Sequence, residues 1–136
     1  MFFKKKEIEN NNFLTKVCAL LIHAAKIDED YTDKEEEIIK QTMLKIGVKE
    51  DHLDKLFNEA IKIEDNSNQI LNFTKEVKNM NEQNKIQIIE ALWRIIYSNK
   101  EADIYERSLM RRLGGLLYVD NKVMGDIKEK IKSENL

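Results

Sequence analysis

Proline is absent from this chain, and glycine occurs only four times among its 136 residues. A β-rich fold of that length needs a turn residue every few positions. The scarcity therefore excludes sheets joined by tight turns and favours helices joined by short loops. Cysteine occurs once, which precludes an internal disulfide. Set in an apolar run, Cys18 reads as a buried free thiol in a reducing compartment, so the chain is expected to be cytoplasmic. An excess of positive charge is missing too, since 23 Lys and Arg against 25 Asp and Glu leave −2. No overall field exists to hold nucleic acid, and no recognition signature accompanies the local clusters Lys4-Lys5-Lys6 and Arg107, Arg111, Arg112.

The apolar run from Val17 to Ala25 is too short to span a bilayer. Behind three lysines it mimics a signal-peptide core, but Glu7, Glu9 and three asparagines intervene. A similar segment recurs deep inside the chain, where no signal operates, so the run reads as a core helix. Catalytic patterns are missing as well: no Gly-rich phosphate loop, no HExxH and no serine elbow. Cys18 and His23 stand five apart on different helix faces and form no nucleophile pair. The chain is expected not to be an enzyme.

What is present is a 42% hydrophobic, 35% charged sequence, suited to one globule with a heavily charged exterior. At this length a single domain over 1–136 buries roughly two-thirds of its unfolded surface. Residues 1–11 and 133–136 are expected to fray. The spacing predicts an all-α bundle of about seven helices. The first runs from Asn12 to Lys26, with Phe13, Val17, Leu20, Leu21 and Ala24 on one face. The second follows Thr32 and ends near Ile46, where Gly47 supplies the stop. A third spans Glu50 to Ile63, and a fourth follows Ser67 and ends by Met80. Asn81 caps a fifth that is apolar on more than one face and so should be the most buried element. Trp93 and Tyr97 on it are expected to pack in the core. The sixth runs from Ile104 to Leu117 and the seventh from Asn121 to Ile131.

An internal repeat organises these elements. A shift of 71 residues lays Leu20 to Ala25 on Ala91 to Ile96, Asp28 on Asn99, Thr32 on Asp103 and Glu35 on Glu106. Further on, Ile46-Gly47-Val48 meets Leu117-Tyr118-Val119. Each copy is an apolar helix, a polar elbow, a cap with a glutamate, and a second helix, an order that implies a pseudo-twofold pair of helix–loop–helix units.

The first elbow, Asp28 to Glu37, crowds carboxylates into one turn and the start of a helix. The positive end of the helix dipole offsets some of that repulsion. A divalent cation such as Ca²⁺ or Mg²⁺ is the other candidate, with Asp28, Asp30, Glu35 and Glu36 as ligands. The loop is not an EF-hand, because Asp33 stands in the glycine position and Ile39 where the bidentate glutamate belongs. Thr32-x-x-Glu35 also has the spacing of a capping box, as does Asp103-x-x-Glu106. The second elbow is less acidic, and Lys100 within it would repel a cation.

These elbows and their helices resemble the TerB (tellurite-resistance protein B-like) family, closest to its small stand-alone bacterial members. The family pattern of an apolar helix, Ala-Asp-Gly, polar residues and Glu-Glu lines up with Ala24 to Glu36. The second pass, Glu90 to Asn99 and Glu106 to Leu113, looks like the family's Leu-Trp-Arg helix and its Arg-Arg continuation. Glu29 and Lys100 replace the two glycines of that pattern, and Asn99 replaces the second Asp, while Asp28 and Glu35 stand intact. The resemblance implies a compact all-α bundle, acidic clusters suspected of holding divalent metal, and a link to stress and tellurite response. The expected function is thus a non-catalytic, stress-related interaction domain with a cation at the first elbow. The alternative is a pure protein-interaction or homodimerising module whose acids only cap helices. The expected partner is an unidentified protein or a second copy, with no nucleic acid. Residues 1–6, through Phe2, Phe3 and the lysines, offer at most weak contact with an anionic membrane surface.

Overall fold

The computed structural model describes residues 2–26, 32–66, 71–98 and 104–134, with side chains described for 13–26, 32–66, 73–75, 77–98 and 107–134. Seven helices and no strand occupy those residues: α1 (Phe2–Ala25), α2 (Asp33–Lys45), α3 (Glu50–Asp65), α4 (Leu71–Val77), α5 (Glu82–Tyr97), α6 (Ile104–Leu116) and α7 (Asn121–Glu134). No helix among the described residues is long and apolar enough to cross a membrane.

Two helices make the centre. On α1 every residue from Val17 to Ile22 is buried, as are Ala24 and Ala25. On α5 the buried set is Lys85, Ile88, Ile89, Ala91, Leu92, Trp93, Ile95, Ile96 and Tyr97, so α5 is central. It is α1, however, that is enclosed over the larger share of its described side chains, and not α5, as the apolar pattern of α5 had predicted. The amphipathic helices wrap these two: α3, α4 and α2 lie against α1, while α7 and α2 lie against α5. Each contributes one stripe, such as Ile39 and Met43 from α2 or Leu53, Leu56, Phe57 and Ala60 from α3.

Three of the boundaries that differ from the sequence expectation do so for a local reason. The first helix starts at Phe2 rather than Asn12. Residues 2–12 contain neither proline nor glycine, and three asparagines cost a helix only about 0.5 kcal/mol each. The third helix continues past Ile63 to Asp65, because Glu64 and Asp65 find cationic partners at the end of α1. The seventh runs to Glu134 instead of fraying from Ser133, because the Glu134 carboxylate grips Arg94 on α5 at 3.0 Å.

Some element bounds stand 71 residues apart. α2 and α6 begin at 33 and 104 and end at 45 and 116, while α3 and α7 begin at 50 and 121. Their connections share hydrogen bonds too. After α2, Gly47 N–H donates to the Leu44 carbonyl at 3.2 Å and Val48 N–H to Met43 at 3.0 Å. After α6, Tyr118 N–H donates to Gly115 at 3.3 Å and Val119 N–H to Gly114 at 2.9 Å. Both are Schellman turns, whose C′ residue needs a positive φ. Gly47 has φ 116° and Tyr118 has φ 56°. For an L residue that conformation costs roughly 1–2 kcal/mol, so the second turn carries a strain that the first avoids.

Gly47→Ala is expected to cost about 1–2 kcal/mol, purely through the backbone, because an added Cβ meets nothing within 4 Å. Tyr118→Gly should move stability upward, by less than that, since glycine also loosens the unfolded chain. Urea unfolding checks both, and equal losses in the two variants would contradict a shared turn geometry.

Candidate functional site

Among the described residues, the first elbow is built on Thr32, which has extended backbone (φ −104°, ψ 160°) and caps α2. Its Oγ1 accepts from Glu35 N–H at 3.1 Å, and Glu35 Oε1 accepts in return from Thr32 N–H at 2.9 Å and Thr32 Oγ1–H at 3.0 Å. Both halves of the predicted capping box are therefore made. Glu35 is only 1% exposed. A buried carboxylate needs such donors, and these satisfy two of the free N–H groups at the helix start. The same donors turn positive hydrogen toward Oε1, so this oxygen is poorly placed to take a cation as well.

Glu36 faces outward, and Lys40 one turn on approaches it at 3.5 Å. Lys40 also reaches Asp54 on α3 at 3.7 Å and sits 5.0 Å over the Phe57 ring. An open groove of about 300 Å³ between α2 and α3 is lined by Asp33, Glu36, Glu37 and Glu50, with Lys40 inside it. The ammonium neutralises part of that field. Of the four predicted metal ligands, Asp28 and Asp30 lie outside the described residues, and Glu35 and Glu36 point to different tasks. Among the described residues no group of three or more His, Cys, Asp or Glu side chains is arranged to hold a metal.

At the end of α1 lies a cluster that sequence reasoning missed. Lys26 donates to Glu64 Oε2 at 2.7 Å and to Asp65 Oδ1 at 2.8 Å, and His23 Nδ1 stands 3.3 Å from Glu64 Oε1. Asp65 first, then Glu64, hold the Lys26 ammonium above its ordinary pKa. These contacts tie the end of α1 to the end of α3. The basic pair His23 and Lys26 in the last turn of an apolar helix was visible, and favourable there for the dipole. Their partners, 38 to 41 residues away, were not. His52 lies exposed beside Asp51. Cys18 is fully buried, and burial pushes its thiol up to about 12. A nucleophilic thiolate is not available from such a group.

In the second unit Asn99, Lys100 and Asp103 lie outside the described residues, as does the Glu106 side chain. The described part is a clasp. Arg94 donates through Nε and Nη2 to both Glu134 oxygens at 3.0 Å and reaches Glu90 at 3.3 Å. The fork geometry fixes α7 on α5. The Glu134 hydrogen bonds raise the Arg94 pKa, and those from Arg94 hold the Glu134 carboxyl below its usual value. Trp93 and Tyr97 stack at 5.8 Å in the core, as expected, with the Lys128 ammonium 5.6 Å over the indole.

A second open groove, of about 350 Å³, lies between α4 and the end of α6. Thr74, Lys75, Lys78, Gly115, Leu116 and Tyr118 line it. Tyr118 is 75% exposed, and the Lys78 ammonium lies 5.6 Å from its ring. The repeat alignment that set Tyr118 opposite Gly47 held the signal for this residue, a bulky side chain at a glycine position.

Compared with known proteins, residues 14–129 match the model of a family described as tellurite resistance protein TerB. No curated protein and no solved structure gives a significant match.

Two measurements probe the geometry. Thr32→Ala should cost about 1 kcal/mol in urea unfolding through loss of the cap, and a neutral result would remove the box from the elbow's stability. For the clasp, the sign follows from the lowered Glu134 pKa: its contribution is complete above the ordinary value of 4.5 and is lost as pH falls through the folded value. Glu134→Gln should therefore lower the melting temperature at neutral pH and leave it unchanged in strong acid.

Proposed function

The chain belongs to the TerB family of tellurite resistance proteins, and from that premise we propose that it works without catalysis, as a stress-related helical interaction domain of the cytoplasm. The observation that carries this reading is how the chain's chemically capable groups are employed. Cys18 is buried with its thiol raised to about 12, His23 is set against Glu64, and Glu35 closes a helix cap. Each holds the fold together and leaves the grooves and the charged exterior as the surfaces that meet other molecules.

A divalent cation, Ca²⁺ or Mg²⁺, is the added element of this reading, placed at the first elbow on Asp28, Asp30 and Glu36, with Glu35 serving as cap before ligand. The capping box favours the narrower alternative, in which the elbow's acids only start α2 and the domain meets an unidentified protein or a second copy without metal. A cation that binds only the folded form raises the melting temperature in proportion to its occupancy. Titration with millimolar Ca²⁺ or Mg²⁺ should raise that temperature and shift the amide resonances of residues 28–36. Unmoved spectra and melting curves leave the narrower alternative. The absence of catalysis is read in cells lacking this chain: Cys18→Ala should protect against tellurite as well as the natural sequence does, and loss of protection with the fold intact would sink the non-catalytic reading.

A further inference from the structure

We propose that the groove between α4 and the end of α6 docks an acidic peptide segment of a partner protein. Its carboxylates are taken by Lys75 and Lys78, and an apolar side chain lies on Leu116 and the Tyr118 ring. The site rests on the interaction reading above and gives it a place and a partner chemistry.

Charge complementarity selects the occupant. Among the described residues lining this groove, Lys75 and Lys78 are the charged ones, in a chain whose net charge is −2. A positive cleft on an acidic protein attracts acidic groups, and its small size decides between a peptide segment and a folded copy. Lysines, with point charges on flexible stems, suit single carboxylates at varied spacing better than a planar bidentate group. About 350 Å³ of open space holds a few side chains of an extended segment and is too small for a folded domain.

Tyr118 supplies the second, independent observation. Phe57, Phe73, Trp93 and Tyr97 are all buried, whereas Tyr118 is 75% exposed. Its backbone sits at φ 56°, at the turn position that Gly47 occupies without strain in the other unit. The ring buries little that would compensate, being three-quarters exposed, and the Lys78 ammonium lies 5.6 Å from its centre. A strained, water-exposed aromatic that the fold does not need points to a use outside the fold. Tyrosine gives a rigid, amphipathic surface at low entropic cost, as binding surfaces require. Engagement of a carboxylate also draws Lys78 off the ring and frees that face for an apolar side chain.

The test uses a fluorescein-labelled peptide of alternating aspartate and leucine, followed by fluorescence anisotropy, with a lysine–leucine peptide as control. The acidic peptide should bind saturably and more weakly as salt rises, and the basic one should not bind. Lys75→Glu with Lys78→Glu should weaken binding about tenfold or more, a loss of about 1.4 kcal/mol. Tyr118→Gly should weaken it several-fold while the melting temperature holds or rises, a combination that a merely structural tyrosine would not produce. Peptide binding undiminished in these variants would overturn the groove assignment and leave the interaction reading standing. Concentration-dependent sedimentation of the natural chain, abolished by the lysine substitutions, would overturn it differently by giving the groove to a second copy. Failure of the underlying reading shows separately, as lost tellurite protection in Cys18→Ala with peptide binding intact.

Discussion

Val17 to Ile22 on α1 are buried throughout, and Ile88 to Tyr97 on α5 are buried but for Glu90 and Arg94, so neither helix can stand unless it is enclosed. Burying a Leu, Ile or Val side chain stabilises by about 1.5–3 kcal/mol, and these two helices supply about half of the buried hydrophobic residues. The requirement that both be covered decides the rest. Amphipathic helices of one apolar stripe each are laid around them, and most charged residues are left on the outside, with Glu35, Glu64 and Lys85 the buried ones among the described residues.

Charged groups reinforce this arrangement at its corners. Lys26 with Glu64 and Asp65 ties α1 to α3, and Arg94 with Glu90 and Glu134 ties α5 to α7. Both join helices about forty residues apart in sequence, where an ion pair restrains the most chain. Glu35 shows the other use of a carboxylate here. Held at 1% exposure by the Thr32 amide and hydroxyl, it belongs to the folding machinery more than to any ligand site. The surface acids of the α2–α3 groove, softened by Lys40, are the ones left to meet solution.

Much of this was legible in the residues themselves. Thr32, Asn81 and Gly47 mark helix ends by local chemistry, and each does so in the structure. The all-round apolar pattern of α5 foretold its burial because water leaves no other place for it. The resemblance in the elbows led to the family that the chain belongs to. Less legible were the features that depend on distant partners. Nothing near Glu64 in sequence announces Lys26, and nothing near Ser133 announces that Arg94 will hold the final turn in helical form. Tyr118 was hidden for a different reason. Periodicity asks whether a residue is apolar, whereas its role depends on a backbone angle. Of the proposed metal ligands, the sequence could weigh Glu35 for two roles, and only side-chain geometry could show the cap made from both sides.

The burial of Cys18 turns the only thiol of the chain into an internal clock. A reagent that attacks sulfur cannot reach it while α1 is covered, and the thiol, raised to about 12, stays protonated at neutral pH. Modification must wait for the helices around α1 to part. The pace at which such a reagent consumes the native protein therefore reports how often the centre of the bundle opens, without any label being added to it.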